Sequence, residues 1–382
     1  MSKFECKVYK LEIEEHPNAD ALELAKVGEY RSIVQKGQFK TGDLGVYIPE
    51  AAVLPEWVIK RLGLEGKLAG KDKNRVKAIK LRGILSQGLI YPVEFREDVF
   101  EAATNMIDNH HCITVEYGGC GHIVKEGDDV TEWLGITKYE PPIPTHMAGE
   151  VFNAFGKTLK YDIENLKKYP DVLEEGEGVV ITEKIHGTWC CMGSHPDVDV
   201  PIVTSKGLSE KGLAFKFNEA NEKNLYIRAY EATKNTSECC IIERLQMVLG
   251  IYTEPLYVLG EIFGAGVQDL TYGGKPLQFR VFDIYIGNPG EGYYFTPAEV
   301  IELCDKLGEE MVPVLYSGPY SQEIVAEYTD GKETASGTEA HIREGVVIKP
   351  FVERKHEELG RVILKSVSEN YLLRRGKATE YN

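Results

Sequence analysis

Apolar residues along this chain come in short runs broken by Gly, Pro, Asn and Asp, the pattern of strands and turns more than of long helices. In the first hundred residues, Lys7–Ile13, Glu23–Val27, Ser32–Val34, Leu44–Ile48, Ile79–Leu81 and Gly88–Tyr91 predict strands. Turns fall at Lys40-Thr41-Gly42-Asp43 and Arg82-Gly83, and many short strands with glycine turns predict a small barrel. In the second half, Val179–Ile181 predicts a strand that delivers Glu183 and Lys184 to its end. His186-Gly187 then predicts a hairpin turn, with Thr188–Cys191 as the returning strand. Leu256–Ile262, Phe279–Ile286, Glu344–Lys349 and Arg361–Ser366 are four further strand candidates with polar residues at their ends.

Helical signals are fewer. Ile163–Tyr169 predicts a short helix stopped by Pro170, and 208–221 and 222–233 carry mixed helical and loop signals. Thr296-Pro297-Ala298-Glu299 is a clear start, with a cap residue, proline at the first position and glutamate three after the cap. That helix is expected to run to about Leu307 and to cover a sheet. Residues 327–343 read as a polar, mobile loop. Prolines 141, 142 and 144 mark residues 136–149 as a stiff linker. The expected division is therefore a barrel domain at 1–135, a linker at 136–149 and an α+β domain at 150–382.

A length of 382 residues suits two domains, and 43% hydrophobic with 27% charged residues describes an ordinary globule. No apolar stretch is long enough to cross a membrane, and no signal peptide opens the chain. Eight cysteines, with pairs at Cys190-Cys191 and Cys239-Cys240, resemble no secreted disulfide framework; a reducing cytosol is expected. His110, His111, Cys112, Cys120 and His122 are potential metal ligands, but their spacing matches no zinc motif. The net charge of −16 argues against a general nucleic-acid coat. Charge is segregated, however: residues 60–82 hold nine Lys or Arg against two acids, a local +7 that leaves −23 for the rest. Lys71, Lys73, Arg75 and Lys77 lie in this run and are candidate nucleic-acid contacts, with a solvated basic loop as the alternative.

The carboxyl-half strand ends carry two kinds of group. Lys184, Lys349 and Lys365 suit phosphates; Glu261, Asp283 and Glu344 suit a divalent metal or a ribose hydroxyl. Together the stretches resemble the covalent nucleotidyltransferases, the ligases and capping enzymes that carry a nucleotide on lysine. The motif usually written KxDG appears as Lys184-Ile185-His186-Gly187. Histidine in place of aspartate resembles the RNA ligases with an amino-terminal oligonucleotide-binding domain, of the Naegleria and Deinococcus type. Lys80–Leu89 is similar to the barrel segment of those ligases, and His16-Pro17-Asn18-Ala19-Asp20 to the tRNA-binding barrels of some synthetases. By itself the latter is an Asx-rich turn, taken as a fold marker.

The resemblance implies an OB-like barrel followed by an α+β nucleotidyltransferase domain, acting as an ATP-dependent RNA ligase. It implies a lysyl-AMP intermediate on Lys184, with the adenylate passing to an RNA 5′-phosphate before a 3′-hydroxyl displaces AMP. ATP and Mg²⁺ or Mn²⁺ are the implied cofactors, and RNA or an RNA-containing nicked duplex the implied partner, with a monomer expected. In the family pattern Glu183 and Ile185 flank the nucleophile beside the nucleotide. Glu261 corresponds to the ribose carboxylate and Phe282 to the aromatic that stacks on the base, with Phe279 as a rival. Glu344, with Asp283, corresponds to the metal side, and Lys349 and Lys365 to the phosphate contacts. Lys206 stands where relatives commonly have arginine and is a candidate contact for nucleotide and RNA. Ile363 departs from the family's paired lysines. A capping guanylyltransferase and a non-catalytic RNA- or tRNA-binding protein remain as alternatives.

Overall fold

The computed structural model describes residues 4–95, 111–114, 120–140 and 142–374. The chain forms two compact units that divide between Glu140 and Pro141. That division falls inside the expected linker, yet the linker residues are integral to the units. Thr137–Lys138 pairs with Ala52–Val53 and Ile136 is buried in the first unit, while Met147 is buried in the core of the second.

In the amino-terminal unit, Lys7–Lys10, Leu44–Ile48 and Leu89–Pro92 form one antiparallel sheet. Glu12–Glu15, Leu22–Val27 and Tyr30–Gln35 form another. The predicted first strand is thus broken at Leu11, which turns inward and is 2% exposed. Leu44–Ile48 is buried on both faces: Val46 and Ile48 join a core with Val8, Val58 and Tyr91, and Tyr47 joins one with Leu11, Ala25 and Ile90. Helix Glu56–Arg61, with Val58 and Ile59 turned inward, had no clear sequence signal.

The second unit is built on two five-stranded sheets. One runs Glu164–Asn165, Leu364–Val367, Gly345–Pro350, Gly178–Lys184, Val314–Pro319; the other runs Val198–Ser205, Thr188–His195, Leu256–Phe263, Gln278–Ile286, Tyr293–Tyr294. The expected hairpin at His186-Gly187 does not form. Gly178–Lys184 pairs within the first sheet, and Thr188–His195 crosses into the second, against Leu256–Phe263. Glycine is required at the crossing: a Cβ on Gly187 would lie 2.2 Å from the Ile262 carbonyl oxygen.

Between the sheets lie Cys191, Tyr257, Leu259, Tyr285, Val347 and Ile363. The far side of the second sheet is covered by helices Leu225–Ala232, Ile241–Leu249 and Pro297–Leu307, and that of the first by Gln322–Thr329. Pro297–Leu307 carries the predicted capping box between Thr296 and Glu299 and ends at Gly308 with φ +68°. The stretch 163–169 holds only a short strand and the 3₁₀ turn Leu166–Lys168. Residues 327–343 are not the mobile loop expected. Glu333 is fully buried there, accepting from Ser336 N at 2.8 Å and Ala340 N at 2.8 Å. Among the described residues no helix is long and apolar enough to cross a membrane.

Candidate active site

Lys184 ends its strand directly opposite Gly345, so Glu344 emerges beside it from the neighbouring strand. The Lys184 ammonium donates to Glu344 Oε1, and Glu344 is only 7% exposed. Burial would raise that carboxyl, but the charge of Lys184 and the hydrogen bond with His186 outweigh it and hold it at about 2. Gly345 has φ +154°, and a Cβ there would lie 2.1 Å from the Ser366 carbonyl oxygen, so the pairing of Lys184 with Glu344 depends on a glycine.

His186 is 4% exposed and tied on every side. Its Nε2 lies 2.6 Å from Asp269 Oδ1, its Nδ1 2.8 Å from the Tyr371 hydroxyl and 3.5 Å from Glu344 Oε2, and its backbone N–H donates to Tyr272 Oη at 2.6 Å. Burial disfavours the charged ring, but the bonds to Asp269 and Glu344 win and raise its pKa. Asp269, Tyr272 and Tyr371 come from distant segments and carry no local motif that would have pointed to them.

Side chains alternate along a strand, so Lys184, Thr182 and Val180 share one face of their sheet. Register puts Val347 and then Lys365 beside Thr182, and Lys349 beside Val180, so the three lysines face the second sheet together. Glu183 necessarily points the other way. Its carboxylate accepts from Thr334 N at 2.7 Å and Thr334 Oγ1 at 2.6 Å, which removes its side chain from the Lys184 face. Ile185 is buried with Phe263 and Tyr272.

Across the gap, Glu261 lies opposite Trp189 on the second sheet. Burial, reinforced by the neighbouring Glu344 charge and opposed by Lys184, pushes its carboxyl up to about 8. The structure separates the two aromatic rivals. Phe279 packs against the helix-side core, under Gly260, whereas Phe282 lies in the inter-sheet cluster, its ring 5.3 Å from Tyr161.

Asp283, expected on the metal side, is fully buried and already committed. It accepts from Arg361 Nη1 at 2.9 Å and Nη2 at 3.0 Å, from Lys349 Nζ at 2.8 Å and from the Tyr161 hydroxyl. Those cations outweigh the cost of burial and hold its carboxyl at about 2. No coordination position is open on it, so the metal expectation at Asp283 gives way to an anchoring one. The same cluster holds Lys349, whose Nζ also donates to the Phe282 carbonyl at 2.6 Å. An aspartate inside the run FRVFDIYI signals that a buried cation must answer it; Arg361, which no local motif marks, does so together with Lys349.

Lys206 opens the short helix Lys206–Glu210, its Nζ 3.3 Å from Asp162 Oδ1. In the amino-terminal unit Lys71, Lys73 and Lys77 are exposed, whereas the Arg75 guanidinium lies 4.1 Å over the Tyr139 ring. His110 and the side chains of His111, Cys112, Cys120 and His122 lie outside the described residues. Among the described residues no cluster of three His, Cys, Asp or Glu could hold a metal alone. The arrangement fits a cation shared with a ligand: Glu344 is held ionised, and one or two carboxylates plus phosphates are what Mg²⁺ ordinarily takes.

Residues 177–367 match the sequence model of RNA ligase, which covers half of the chain. The chain belongs to the RNA ligase family. Residues 7–93 of this ligase match an OB-fold domain model, so the expected fold class, a barrel before a nucleotidyltransferase domain, holds. Among solved structures it is similar to Naegleria gruberi RNA ligase with PPi, at TM-score 0.70 and 26% identity over 97% of this chain and 98% of that one. It is also similar to a variant of that ligase with AMP and Mn, at TM-score 0.72 and 26% identity over 97% and 98%. A further variant, with ATP and Mn, gives TM-score 0.69 at 26% identity over the same shares. No curated protein sequence matches.

Proposed function

We propose that this RNA ligase uses ATP and a divalent cation to join RNA 3′-hydroxyl and 5′-phosphate ends, with Lys184 as the covalent nucleophile. The observation that carries the reading is the pairing of Lys184 with the nearly enclosed Glu344 carboxylate, on a face shared with Lys349 and Lys365. The ATP, AMP and Mn of the similar Naegleria structures support the choice of nucleotide and cation.

A lysine amine must lose its proton before attack. Glu344, held at about 2, is far too weak a base to take it, so its role is to aim the amine and hold positive charge near the phosphates. Nζ then bonds to the α-phosphorus, the bond to pyrophosphate breaks, and the amine proton leaves to solvent or phosphate. Phe282 offers its ring to the base and Glu261 its carboxyl to the ribose. Lys365, beside Val347, faces the phosphates, with Lys206 at the margin. Glu344 would hold the cation, which when bound would neutralise phosphate charge. AMP passes to an RNA 5′-phosphate, and a 3′-hydroxyl attacks that phosphorus and expels AMP. We assign the exposed lysines of the amino-terminal unit to the RNA backbone. We also assign the enzyme to RNA repair, as a monomer in a reducing compartment, in keeping with Cys6, Cys190, Cys191, Cys239, Cys240 and Cys304 as free thiols.

Incubation with α-labelled ATP and divalent metal, then denaturing electrophoresis, tests this. The α-label is expected on the intact protein, neither γ-label nor GTP label is expected, and Lys184→Ala abolishes the signal. Persistent α-label on that variant means another nucleophile.

A further inference from the structure

A cavity of about 710 Å³ opens in the second unit. Its lining includes Phe155, Tyr293, Tyr294, Lys160, Lys355 and Arg361, but none of Lys184, Glu261, Phe282, Glu344 or Lys349. The volume lies within the range of about 300–1,000 Å³ usual for ligand pockets.

Two features set it apart from an ordinary surface hollow. First, it gathers exposed aromatic surface: Phe155 is 80% exposed and Tyr293 is 64% exposed. Single exposed apolar residues need no explanation, but two ring faces on one concavity do. Phe155 is held there by close backbone packing, since a Cβ on Gly212, which has φ +68°, would lie 2.9 Å from the Phe155 Cα. Second, Lys160 and Lys355 are exposed and have no ion-pair partner among the described residues, although acids outnumber basic residues 60 to 44 in this chain. The other cations are spoken for: Arg361 by Asp283 and Glu353, Arg354 by Glu177. Of the two lining acids, Glu353 is neutralised by Arg361, and Glu210 is exposed.

Stacking faces beside unpaired amines are the chemistry that grips a single strand: every base has a π-face, and each amine takes one backbone phosphate. We propose that this cavity binds single-stranded RNA, seating bases against Phe155 and Tyr293 and phosphates against Lys160 and Lys355. The site rests on membership of the RNA ligase family, and its lining includes none of Lys184, Glu261 or Glu344 and no residue of the basic run 60–82. It would hold unpaired RNA that flanks the ends being joined.

The test uses the full chain and a fluorescent single-stranded oligoribonucleotide read by anisotropy. Phe155→Ala with Tyr293→Ala is expected to weaken binding about tenfold or more, since base stacking on aromatic rings supplies much of single-strand affinity. Lys160→Gln with Lys355→Gln is expected to lower the salt slope of log K by about 1.4, at about 0.7 per phosphate contact. Self-adenylation is expected to be unchanged in both, because neither touches the Lys184 site. Photocrosslinks from 4-thiouridine RNA are expected on Phe155 or Tyr293. Unchanged affinity and slope, or crosslinks confined to residues 60–82, overturn the proposal. So does loss of self-association in the aromatic variant without loss of RNA binding, which makes the face a contact between copies. Failure of the unaltered chain to bind RNA at all would instead count against RNA as its substrate.

Discussion

The ligase unit and the amino-terminal unit handle charge in opposite ways. Around Lys184 the charged groups are enclosed and individually answered: Glu344 by Lys184 and His186, Asp283 by Arg361 and Lys349. Along 71–77 the side chains of Lys71, Lys73 and Lys77 are exposed at the surface, with Asp72, Asn74, Arg75 and the buried Val76 between them. Enclosed charges are barely screened and depend on geometry, whereas exposed ones are screened within a Debye length and act as a sum. The first arrangement suits a reaction at one phosphorus atom, the second a polyanion held by its backbone.

The comparison breaks most readily at Asp283. Asp283→Asn leaves Lys349 buried without a carboxylate and Arg361 with Glu353 alone, and removing one partner of a buried pair costs about 3–5 kcal/mol. Urea unfolding measures this. Lys71→Gln, Lys73→Gln and Lys77→Gln together are expected to stay within about 0.5 kcal/mol, as exposed substitutions do. An Asp283→Asn variant as stable as the parent would refute the account of enclosed charge.

Next comes Glu344. Glu344→Gln keeps the shape but loses the charge that aims Lys184, and adenylation is expected to fall about 100-fold, the effect of losing one oriented electrostatic partner. Stability should fall far less. Full adenylation at limiting metal would remove Glu344 from the site.

These two carboxylates also show what could be read ahead of the fold. Strand existence was legible because apolar runs between turn residues leave little choice, and motif order singled out Lys184, Glu261 and Glu344, which the fold sets at or near the ends of paired strands. Partnership was not. His186-Gly187 has the composition of a hairpin turn, and only the packing of Gly187 on the Ile262 carbonyl sends the chain into a second sheet. Asp283 was placed with the metal because its sequence neighbours cannot reveal Arg361, 78 residues away. Residues 327–343 look mobile by composition, yet Glu333 and Thr334 use their polar groups to fix backbone and Glu183. Polar residues read as loop until their partners are known.

A smaller effect is expected on pH. Glu344 and Asp283, both held at about 2 against an ordinary value near 4, stabilise the fold at neutral pH. That contribution is lost as pH falls from about 4 through about 2, and is on the order of 2 kcal/mol for each. His186, with its pKa raised, works with the opposite sign: its contribution is present below about 6.5 and lost as pH rises through its folded value. Urea midpoints across pH 2–5 should drop steeply for the parent and more shallowly for Asp283→Asn. Equal slopes would mean that Asp283 carries no linkage.

The mildest break lies in the basic run, and it separates gripping RNA from merely supporting the catalytic unit. Lys71, Lys73 and Lys77 are exposed, so changing them to Gln removes charge without opening a core. If they touch RNA phosphates, the salt slope of single-strand binding should flatten by about 2, at about 0.7 for each contact. Affinity at low salt should fall roughly tenfold, and sealing should suffer most at limiting RNA, while adenylation by Lys184 stays intact. Arg75 sharpens the point. Its guanidinium stacks on Tyr139, so Arg75→Gln exchanges a cation–π contact of about 0.5–1 kcal/mol for nothing, and should lower stability where the lysine changes do not. If the unit is only a buttress, the order reverses: the lysine variants seal like the parent at every RNA concentration, and Arg75→Gln alone impairs adenylation and sealing together.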